Sequence, residues 1–185
     1  MRIIAGSRKG HTIQAPKGLD TRPTSDRVRE NVFNIVAPWV EGARVLDLYA
    51  GSGALGLEAV SRGAAGAVLV EHDAATARMV RRNVEATGLS GVRVVADRVE
   101  RALARPPEEQ FDLVFVDPPY ALADGVLDRA LALLVDGGWL ADPAAVVVER
   151  GRRSAEPAWP EGLESDGDRS YGTTHLYFAR TPPPA

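Results

Sequence analysis

The stretch "FVDPPYA" at residues 115–121 places a carboxylate, two prolines and an aromatic ring in direct succession. Its apolar start is typical of a buried strand, and Pro118 and Pro119 end that strand because proline lacks a backbone donor and has a fixed φ. The Asp117 carboxylate and the Pro118 carbonyl are thereby held as rigid hydrogen-bond acceptors. Tyr120 adds a ring on which a flat group can stack, a contact worth about 1–3 kcal/mol. The stretch therefore predicts a rigid site that presents one carboxylate and one ring, and the plainer alternative is a strand-to-helix turn capped by Asp117.

A second chemical motif is the glycine-rich stretch "DLYAGSGALG" at residues 47–56, which fits G-x-G-x-x-G between a predicted strand and a predicted helix. Glycines let the backbone approach a ligand, and the start of a helix offers free N–H groups. Glu71 ends the next predicted strand, 20 residues after Gly51, where a doubly wound nucleotide site carries the acid that binds the ribose. Asp97 ends the strand after that. We therefore expect acids from several strand ends to surround one nucleotide-like ligand.

These side chains need a scaffold, and the chain from residue 43 onward alternates short β-rich runs with helical stretches. The predicted strands span 44–49, 67–71, 92–96, 111–117 and 144–150, and the predicted helices lie near 53–62, 73–87, 98–104 and 124–135. Continuous apolar strands in such an alternation predict a parallel sheet covered on both faces. Residues 163–170 and 174–180 predict an antiparallel pair at the edge of that sheet.

The N-terminal region has a different pattern. Residues 2–5 and 11–14 flank a turn rich in Gly, Ser and Lys, which predicts a short hairpin. A helix is predicted to begin at the capping residues Thr24 and Ser25, because apolar residues then recur at helical spacing. Residues 1–30 have a net charge of +4, whereas the remainder has −7. This asymmetry favours an anionic partner for the N-terminal segment.

The composition restricts the class of protein. The chain has 185 residues, of which 45% are hydrophobic and 25% charged, as is usual for one globular domain with at most a small appendage. The absence of cysteine excludes disulfides and thiolate chemistry. No apolar run is long enough to cross a bilayer, and the N-terminus lacks the apolar core of a signal peptide. We therefore expect a cytoplasmic protein with no membrane partner.

The glycine loop itself favours one cofactor class. Asp47 lies within it, four residues before Gly51, and a carboxylate there repels a pyrophosphate but suits a cationic methionine moiety. With "DLYAGSG" as its loop pattern, the chain resembles the class I S-adenosylmethionine-dependent methyltransferases. The resemblance implies that the loop binds the methionine end, that Glu71 binds the ribose hydroxyls and that Asp97 meets the adenine amine. The implied cofactor-binding set is Asp47, Tyr49, Gly51, Ser52, Gly53, Glu71, His72, Asp97, Arg98 and Asp117, with S-adenosyl-L-homocysteine as product and no metal.

In this setting "DPPY" resembles the [ND]-P-P-[YF] motif of methyltransferases that act on exocyclic or amide nitrogens. The motif leaves adenine N6, guanine N2 and a glutamine side chain open as targets. The stretches "RIIAGSRKGHTIQAP" and "TRPTSDRVRENVFNIV" resemble the RsmD type of bacterial 16S rRNA guanine-N2 methyltransferases, as do "VFVDPPY", "GGWLAD" and "YGTTHL". The resemblance runs from Arg2 to about Arg180 and departs from the family pattern at His11, where Arg is usual. The implied catalytic set is Asp117, Pro118, Pro119 and Tyr120.

The family implies methylation of one guanine in a hairpin loop of 16S rRNA in the head of the small ribosomal subunit. It also implies a Rossmann-like, doubly wound, seven-stranded and mostly parallel sheet, in a monomer that can contact ribosomal proteins of the head. We expect an RNA-docking hairpin and loop at residues 1–22, a catalytic domain at 23–180 and a disordered tail at 181–185. Splayed loop bases suit a pocket with a stacking ring. The expected RNA-binding residues are Arg8, Lys9, His11, Arg22, Arg27 and Arg29.

Three other functions remain open on the residues alone. An adenine-N6 methyltransferase of DNA or RNA would use the same loop, although 185 residues leave little room for the target-recognition domain of the DNA enzymes. An NAD-dependent oxidoreductase shares the G-x-G-x-x-G pattern, and a non-catalytic RNA-binding assembly factor would not need an intact "DPPY". Methylation assays on ribosomal subunits and duplex DNA distinguish the first, and stabilisation by S-adenosylhomocysteine rather than NAD distinguishes the second.

Overall fold

The computed structural model describes residues 1–16, 24–119 and 121–182, with the side chains of Thr24 and Ser25 outside the description. The helices in these residues are α1 (Thr24–Ile35), α2 (Ala54–Ser61), α3 (Ala74–Thr87), α4 (Val99–Leu103) and α5 (Asp124–Asp136), with a 3-10 turn at Ala37–Trp39. The strands are β1 (Arg44–Leu48), β2 (Gly66–Glu71), β3 (Val92–Ala96), β4 (Phe111–Val116), β5 (Leu140–Gly151), β6 (Glu164–Tyr171) and β7 (Thr174–Arg180). The alternation of strands and helices predicted from residue 43 onward is thus confirmed. In the described part of the chain, no helix combines the length and apolar character needed to cross a membrane.

Within the described residues, the strands form one seven-stranded sheet in the order β3-β2-β1-β4-β5-β7-β6. Neighbouring strands from β3 to β5 run parallel, and β7 runs antiparallel to both β5 and β6. The predicted doubly wound, mostly parallel sheet is confirmed. From β1 the chain adds strands β2 and β3 on one side, and then β4 and β5 on the other side of β1. The order of strands therefore reverses between the adjacent strands β1 and β4. Ligands of such sheets bind at the carboxyl ends of the strands beside this reversal.

Helices cover both faces of the sheet. On one face α1, α2 and α3 enclose a core in which the rings of Phe33 and Phe115 lie 5.5 Å apart. On the other face α4 and α5 enclose a second core, where Phe111 stacks on Trp139 at 5.9 Å. The central strands β1 and β4 are mostly apolar because both of their faces are buried, and Asp47 is a buried exception.

Strand β5 begins at Leu140, earlier than the predicted start at residue 144. Its register against β4 shifts after the pair Phe111 and Leu140, and regular pairing resumes between Leu113 and Ala145. The extra residues form an irregularity that takes the exposed residues Asp142 and Pro143 into the strand. An alternation of apolar residues cannot predict such a start.

The N-terminal segment, residues 1–16, shows the antiparallel pairing of the predicted hairpin in a shorter form. Arg2 and Thr12 form an isolated antiparallel bridge, the Ile3 N–H donates to the His11 carbonyl at 2.9 Å, and the Ile13 N–H donates to the Met1 carbonyl at 3.0 Å. The backbone N–H groups of Ile4 and Ala5 donate instead to the carboxylate of Glu58 on α2, at 2.7 and 3.0 Å. The donors that would extend a strand ladder are therefore bonded to a helix side chain.

The same segment is packed onto α2. Ile3 and Ile13 are buried against Leu57 of that helix. Gly6 has φ +81°, and a Cβ there would lie 1.8 Å from the Ser61 carbonyl oxygen, so this close approach requires glycine. The predicted domain boundary between residues 22 and 23 lies outside the described residues. Of the tail predicted at residues 181–185, Thr181 exchanges two hydrogen bonds with Ala144 of β5, at 2.9 and 3.0 Å, and residues 183–185 lie outside the description.

Strand β6 forms one border of the sheet. Its residues from Glu164 to Ser170 are exposed, and its register against β7 shifts between Ser165 and Asp168, where Gly167 has φ +97°. The edge pair predicted near the C-terminus is thus confirmed, with a bulge at its centre.

Candidate active site

A cavity of about 670 Å³ opens at the carboxyl ends of the parallel strands. The glycine loop after β1, the end of β2 and the loop after β4 all contribute to its wall. The predicted site residues that line it are Arg29, Asp47, Tyr49, Gly51, Ser52, Glu71, His72, Asp117, Pro118 and Pro119. The structure therefore brings the glycine motif and the "DPP" motif to one place, as the strand order requires.

Asp47 fixes the glycine loop from within the protein. Its side chain is 1% exposed, and its Oδ2 accepts a hydrogen bond from the Gly56 N–H at 3.0 Å. Burial raises the pKa of Asp47 to about 7, the Gly56 hydrogen bond opposes this, and the nearby Glu71 carboxylate adds to it. Asp47 thus lies close to a balance between neutral and ionised forms at neutral pH, and a cationic ligand would favour the ionised form.

The sharp turn of the glycine loop and its close packing explain why Gly53 and Gly56 are glycines. Gly53 has φ +79° and precedes α2, and a Cβ on Gly56 would lie 2.1 Å from Leu69 Cδ2. Tyr49 also has a positive φ, +64°, which is unusual for a residue with a side chain. Gly56 is therefore required by packing between α2 and β2, whereas Gly51 leaves the backbone open to the cavity.

Tyr49 of the glycine loop is partly buried and lines the cavity. Its hydroxyl is buried without a hydrogen-bond partner among the described residues. Burial raises the pKa of Tyr49, as does Glu100, whereas Arg150 lowers it. Tyr49 is therefore neutral and offers a ring and a donor beside the cavity.

Glu71 joins the end of β2 to the glycine loop. Its Oε2 accepts from the Gly51 N–H at 3.0 Å, and its Oε1 accepts from the Asp73 N–H at 2.8 Å. His72 Nδ1 lies 3.2 Å from Oε1. A carboxylate has about four acceptor positions, so Glu71 can hold the loop and still accept from a diol in the cavity.

Asp117 directly follows β4 and is partly buried at the cavity wall. Its backbone N–H lies 3.4 Å from the Leu48 carbonyl oxygen at the end of β1, and the Leu122 N–H donates to the Pro119 carbonyl at 2.8 Å. The two prolines thus stand between a strand end and a closed turn. Tyr120, predicted to stack on a base, lies outside the described residues.

Arg150 is a residue that sequence reasoning missed. Its side chain is 2% exposed, and its Nη2 donates to the Leu122 carbonyl at 3.0 Å and to the Asp124 carboxylate at 2.8 Å. Arg150 therefore fixes the turn that follows Pro119 and the start of α5. The sequence gives no sign of this burial, because "VVVERGRR" presents three similar arginines.

Two further cavity residues were also missed. Glu149 near the end of β5 and Thr174 at the start of β7 line the same cavity as Asp117, with the Thr174 hydroxyl 3.4 Å from Glu149 Oε1. The rule that strand-end acids mark the ligand side of a parallel sheet would have found Glu149.

Asp97, Arg98 and Gly53 do not line the described cavity. The Asp97 carboxylate accepts from Arg105 Nη2 and from the Arg98 backbone N–H, both at 2.9 Å, and Arg101 lies 3.7 Å away. Asp97 is thus engaged with residues before, within and after α4. Among the residues that the structure describes, no group of three or more His, Cys, Asp or Glu side chains could hold a metal ion.

Most of the described residues in the predicted RNA-binding set lie on the surface. Lys9, His11 and Arg27 are exposed, and Arg8 is partly buried with its Nη2 3.3 Å from the Gly88 carbonyl oxygen. Arg22 lies outside the described residues. The exposed members can meet a large anionic partner without rearrangement.

Arg29 departs from that expectation and requires a correction. Its side chain is 5% exposed, with Nη2 3.0 Å from Asp26 and Nε 3.8 Å from the buried Glu58. Burial lowers the pKa of Arg29, and Asp26 and Glu58 oppose this. Arg29 also donates to the Arg2 carbonyl, so its contacts hold the N-terminal segment on the domain instead of facing solvent as a phosphate contact would.

Known proteins resemble this chain over nearly its whole length. A family model described as "Conserved hypothetical protein 95" matches residues 1–180. The chain is 42% identical over 160 residues to ribosomal RNA small subunit methyltransferase D of Escherichia coli (strain K12), which covers 86% of this chain and 79% of that protein. It is 37% identical over 177 residues to YlbH of Bacillus subtilis (strain 168), covering 94% and 95%. The solved structure of yhhF from Escherichia coli superposes with a TM-score of 0.88 at 39% identity, covering 98% of this chain and 97% of that one.

Proposed function

The chain belongs to the conserved hypothetical protein 95 family, the RsmD type of methyltransferase, and from that premise we propose that it methylates the exocyclic N2 amine of one guanine in 16S rRNA. The observation that carries the proposal is the meeting of the glycine loop and the Asp117–Pro119 turn in one cavity of about 670 Å³. The Escherichia coli relative is named for the small ribosomal subunit, which supports ribosomal RNA as the substrate.

The residues at the cavity fit S-adenosyl-L-methionine. The buried Asp47 carboxylate suits a cationic ligand, because a nearby positive charge favours its ionised form. Glu71 retains acceptor positions for ribose hydroxyls after bonding Gly51 and Asp73. Asp47, Gly51, Ser52 and Glu71 would therefore hold the cofactor, which supplies an electrophilic methyl group when it is bound.

Asp117 and Pro118 prepare the nucleophile. The lone pair of an aromatic amine is delocalised into its ring, so the amine attacks poorly. The Asp117 carboxylate and the Pro118 carbonyl accept the two N–H hydrogens, which moves the nitrogen toward sp³ geometry and directs its lone pair. The prolines and Arg150 keep these acceptors in place, and misplacement of reacting groups is costly to catalysis.

The remaining cofactor residues are proposed by the same resemblance. Tyr49 and His72 lie on the cavity wall, and Gly53 forms the turn by which the loop enters α2. Asp97 and Arg98 are proposed to meet the adenine end, for which the Asp97 carboxylate must share its acceptors with Arg105.

The N-terminal segment is proposed to dock the RNA. The exposed Lys9 and Arg27, with Arg8 and Arg22, carry positive charge suited to phosphates, and the exposed His11 offers a ring N–H donor. We assign residues 1–22 to docking and 23–180 to catalysis, and propose that a monomer acts in the cytoplasm on the small subunit, where ribosomal proteins of its head are neighbours. Tyr120 is proposed to stack on the extruded base.

A methylation assay tests the function. Small ribosomal subunits lacking the modification, naked 16S rRNA and duplex DNA are incubated with the protein and labelled S-adenosyl-L-methionine, and the product is mapped by mass spectrometry. We expect N2-methylguanine at one position of the ribosomal RNA and no label in DNA. Label in adenine of DNA, or no label with any substrate, would contradict the proposal.

A binding assay tests the cofactor separately. S-adenosylhomocysteine should raise the melting temperature of the protein, and NAD should leave it unchanged. Glu71→Ala should reduce the stabilisation by S-adenosylhomocysteine, since hydrogen bonds to a charged acceptor are worth about 1.5–3 kcal/mol each. Stabilisation by NAD instead would favour the oxidoreductase.

A further inference from the structure

Asn83 of α3 joins the N-terminal segment to the glycine loop through its side-chain amide. It is 2% exposed. Its Oδ1 accepts from the Gln14 N–H at 2.8 Å, and its Nδ2 donates to the Gln14 carbonyl at 2.9 Å and to the Ser52 carbonyl at 2.9 Å. Two of these bonds reach the segment proposed to dock RNA, and the third reaches the loop proposed to bind the cofactor.

The chemistry of this contact is specific to an amide. An amide side chain both donates and accepts, so it pairs with both backbone groups of Gln14 in the manner of a neighbouring strand. An Asp in place of Asn83 would lose the donors and place a carboxylate against two carbonyl oxygens. Because the site is buried, a lost partner there is costly.

Both ends of this connection lie at the cavity. Ser52 lines it, and so do Ala15 and Pro16, which directly follow Gln14. Met1 also lines it, and its carbonyl accepts from the Ile13 N–H at 3.0 Å. The N-terminal segment thus reaches the cavity beside the glycine loop.

Among the described residues, three other side chains clamp this segment. Arg29 of α1 donates to the Arg2 carbonyl, and from α2 Glu58 accepts from Ile4 and Ala5, while the Ser61 hydroxyl donates to the Ala5 carbonyl and accepts from the Arg8 N–H. Their described hydrogen bonds reach neither Ser52 nor Gly51. Segment and loop also touch directly, with the Ser52 hydroxyl 3.5 Å from Met1 Sδ, but sulfur is a weak acceptor. Asn83 therefore differs from the other clamps in bonding strongly to segment and loop at once.

We propose that Asn83 is a positioning residue that couples the cofactor loop to the RNA-docking segment, so that each ligand strengthens the binding of the other. The inference rests on the proposed function. A ligand that orders the glycine loop fixes the Ser52 carbonyl, which fixes the Asn83 amide and, through it, Gln14. A segment that is already ordered loses less conformational entropy when RNA binds. The coupling is reciprocal, so the same factor applies to the cofactor when RNA is bound.

The test measures the affinity for a 16S rRNA transcript with and without S-adenosylhomocysteine, in the wild type and three variants. In the wild type the cofactor product should tighten RNA binding by at least about fivefold. Asn83→Ala should bring this ratio close to one. Ser61→Ala loosens the same segment without touching the glycine loop, so it should weaken RNA binding equally in both states and keep the ratio. Thr87→Val removes a hydrogen bond to the Val84 carbonyl from an equally buried site on α3. It should change neither the affinity for RNA nor the ratio.

A measurement without mutation accompanies it. S-adenosylhomocysteine should slow hydrogen exchange at the Gln14 and Ile13 amides of the wild type and leave β6 unchanged. This result is obtained even if Asn83→Ala fails to fold, and Asn83→Asp gives a second variant that retains an acceptor. An unchanged ratio in a folded Asn83 variant, an equal loss of the ratio in Ser61→Ala, or unaltered exchange at Gln14 would each overturn the inference. A wild type that binds both ligands with a ratio of one would refute this coupling alone, whereas one that binds neither would refute the proposed function as well.

Discussion

At the scale of single residues, Asp117 carries the proposed chemistry. Asp117→Ala removes an acceptor for the amine hydrogens, so the single-turnover rate of methyl transfer should fall by about 10²–10³-fold. The affinity for S-adenosylhomocysteine should change much less, because the carboxylate acts on the amine. Asp117→Asn should retain partial activity, since its amide oxygen still accepts one N–H. Wild-type turnover by Asp117→Ala would show that the mechanism is wrong.

Asp47 gives a prediction about pH. Burial raises its pKa from 3.8 to about 7 in the folded protein, so the folded state holds a proton that the unfolded state releases at lower pH. The contribution of Asp47 to stability is therefore fully present below about pH 4 and is lost as the pH rises through about 7. In Asp47→Asn, which can still accept from Gly56, this loss should be absent. The free energy of unfolding of Asp47→Asn minus that of the wild type should therefore increase from pH 4 to pH 8, by at most about 4 kcal/mol.

Urea unfolding of both proteins across this range provides the measurement. Parallel pH profiles would mean that Asp47 is ionised at neutral pH in the folded protein without cost. The cofactor must be absent, because a cationic ligand would itself favour the ionised form.

Arg29 shows why the burial of a charged side chain cannot always be predicted from the sequence. The pattern "TSDRVRENVF" offers Arg27 and Arg29 as two similar cations near a helix start. Arg27 is exposed and Arg29 is buried because Glu58, far along the chain, supplies a buried counter-charge. Partners at such a distance in sequence cannot be identified from one chain without coordinates.

At the scale of elements, the N-terminal segment depends on Glu58 of α2. This fully buried carboxylate accepts from Ile4, Ala5 and Arg62. Glu58→Ala leaves two backbone donors without their acceptor and cations without their counter-charge, so it should cost about 3–5 kcal/mol of stability. Glu58→Gln keeps one acceptor oxygen and should cost less.

Urea unfolding measures the loss in free energy of unfolding. Faster hydrogen exchange at the Ile4 and Ala5 amides would show that the loss is localised to the N-terminal segment. An exposed acid on α3, Glu85, provides the control substitution Glu85→Ala. If Glu58→Ala and Glu85→Ala unfold at the same urea concentration, the segment is held by other contacts.

The elements themselves were predicted unequally. The first four parallel strands, β1 to β4, were predicted to within one residue at either end because they are short runs rich in apolar and β-branched residues, and β1, β2 and β4 are buried on both faces. The N-terminal hairpin was predicted longer than it is, because the backbone donors of Ile4, Ala5 and Arg8 bond to Glu58 and Ser61 of another element. The alternation of apolar and polar residues along a strand indicates which side chains are buried. It does not indicate which backbone N–H groups will bond to a side chain from a distant part of the sequence.

At the scale of the whole molecule, the charge is divided between a basic segment and an acidic body. If Arg8 and Lys9 meet phosphates, the affinity for RNA should fall with salt, with a slope of about −0.7 per phosphate neutralised on single strands. Arg8→Gln combined with Lys9→Gln should flatten the slope by up to about 1.4 and leave S-adenosylhomocysteine binding unchanged.

The matched control is Arg44→Gln combined with Arg93→Gln. Both arginines are exposed, and they lie near the amino ends of β1 and β3, away from the cavity at the carboxyl ends. Binding is measured on naked 16S rRNA and on small subunits. If the two double variants change the slope equally, the charge of the N-terminal segment has no particular role in docking.

The border of the sheet at β6 affects how the protein behaves when it is concentrated. A sheet with an open border can recruit a further strand from another chain, which is the first step of aggregation into fibres. Here an incoming strand would meet the exposed carboxylates of Glu164, Asp166 and Asp168, and the bulge around Gly167 interrupts the regular ladder it would need. Charge and irregularity together disfavour polymerisation through this border, so the exposed strand can remain without a cover.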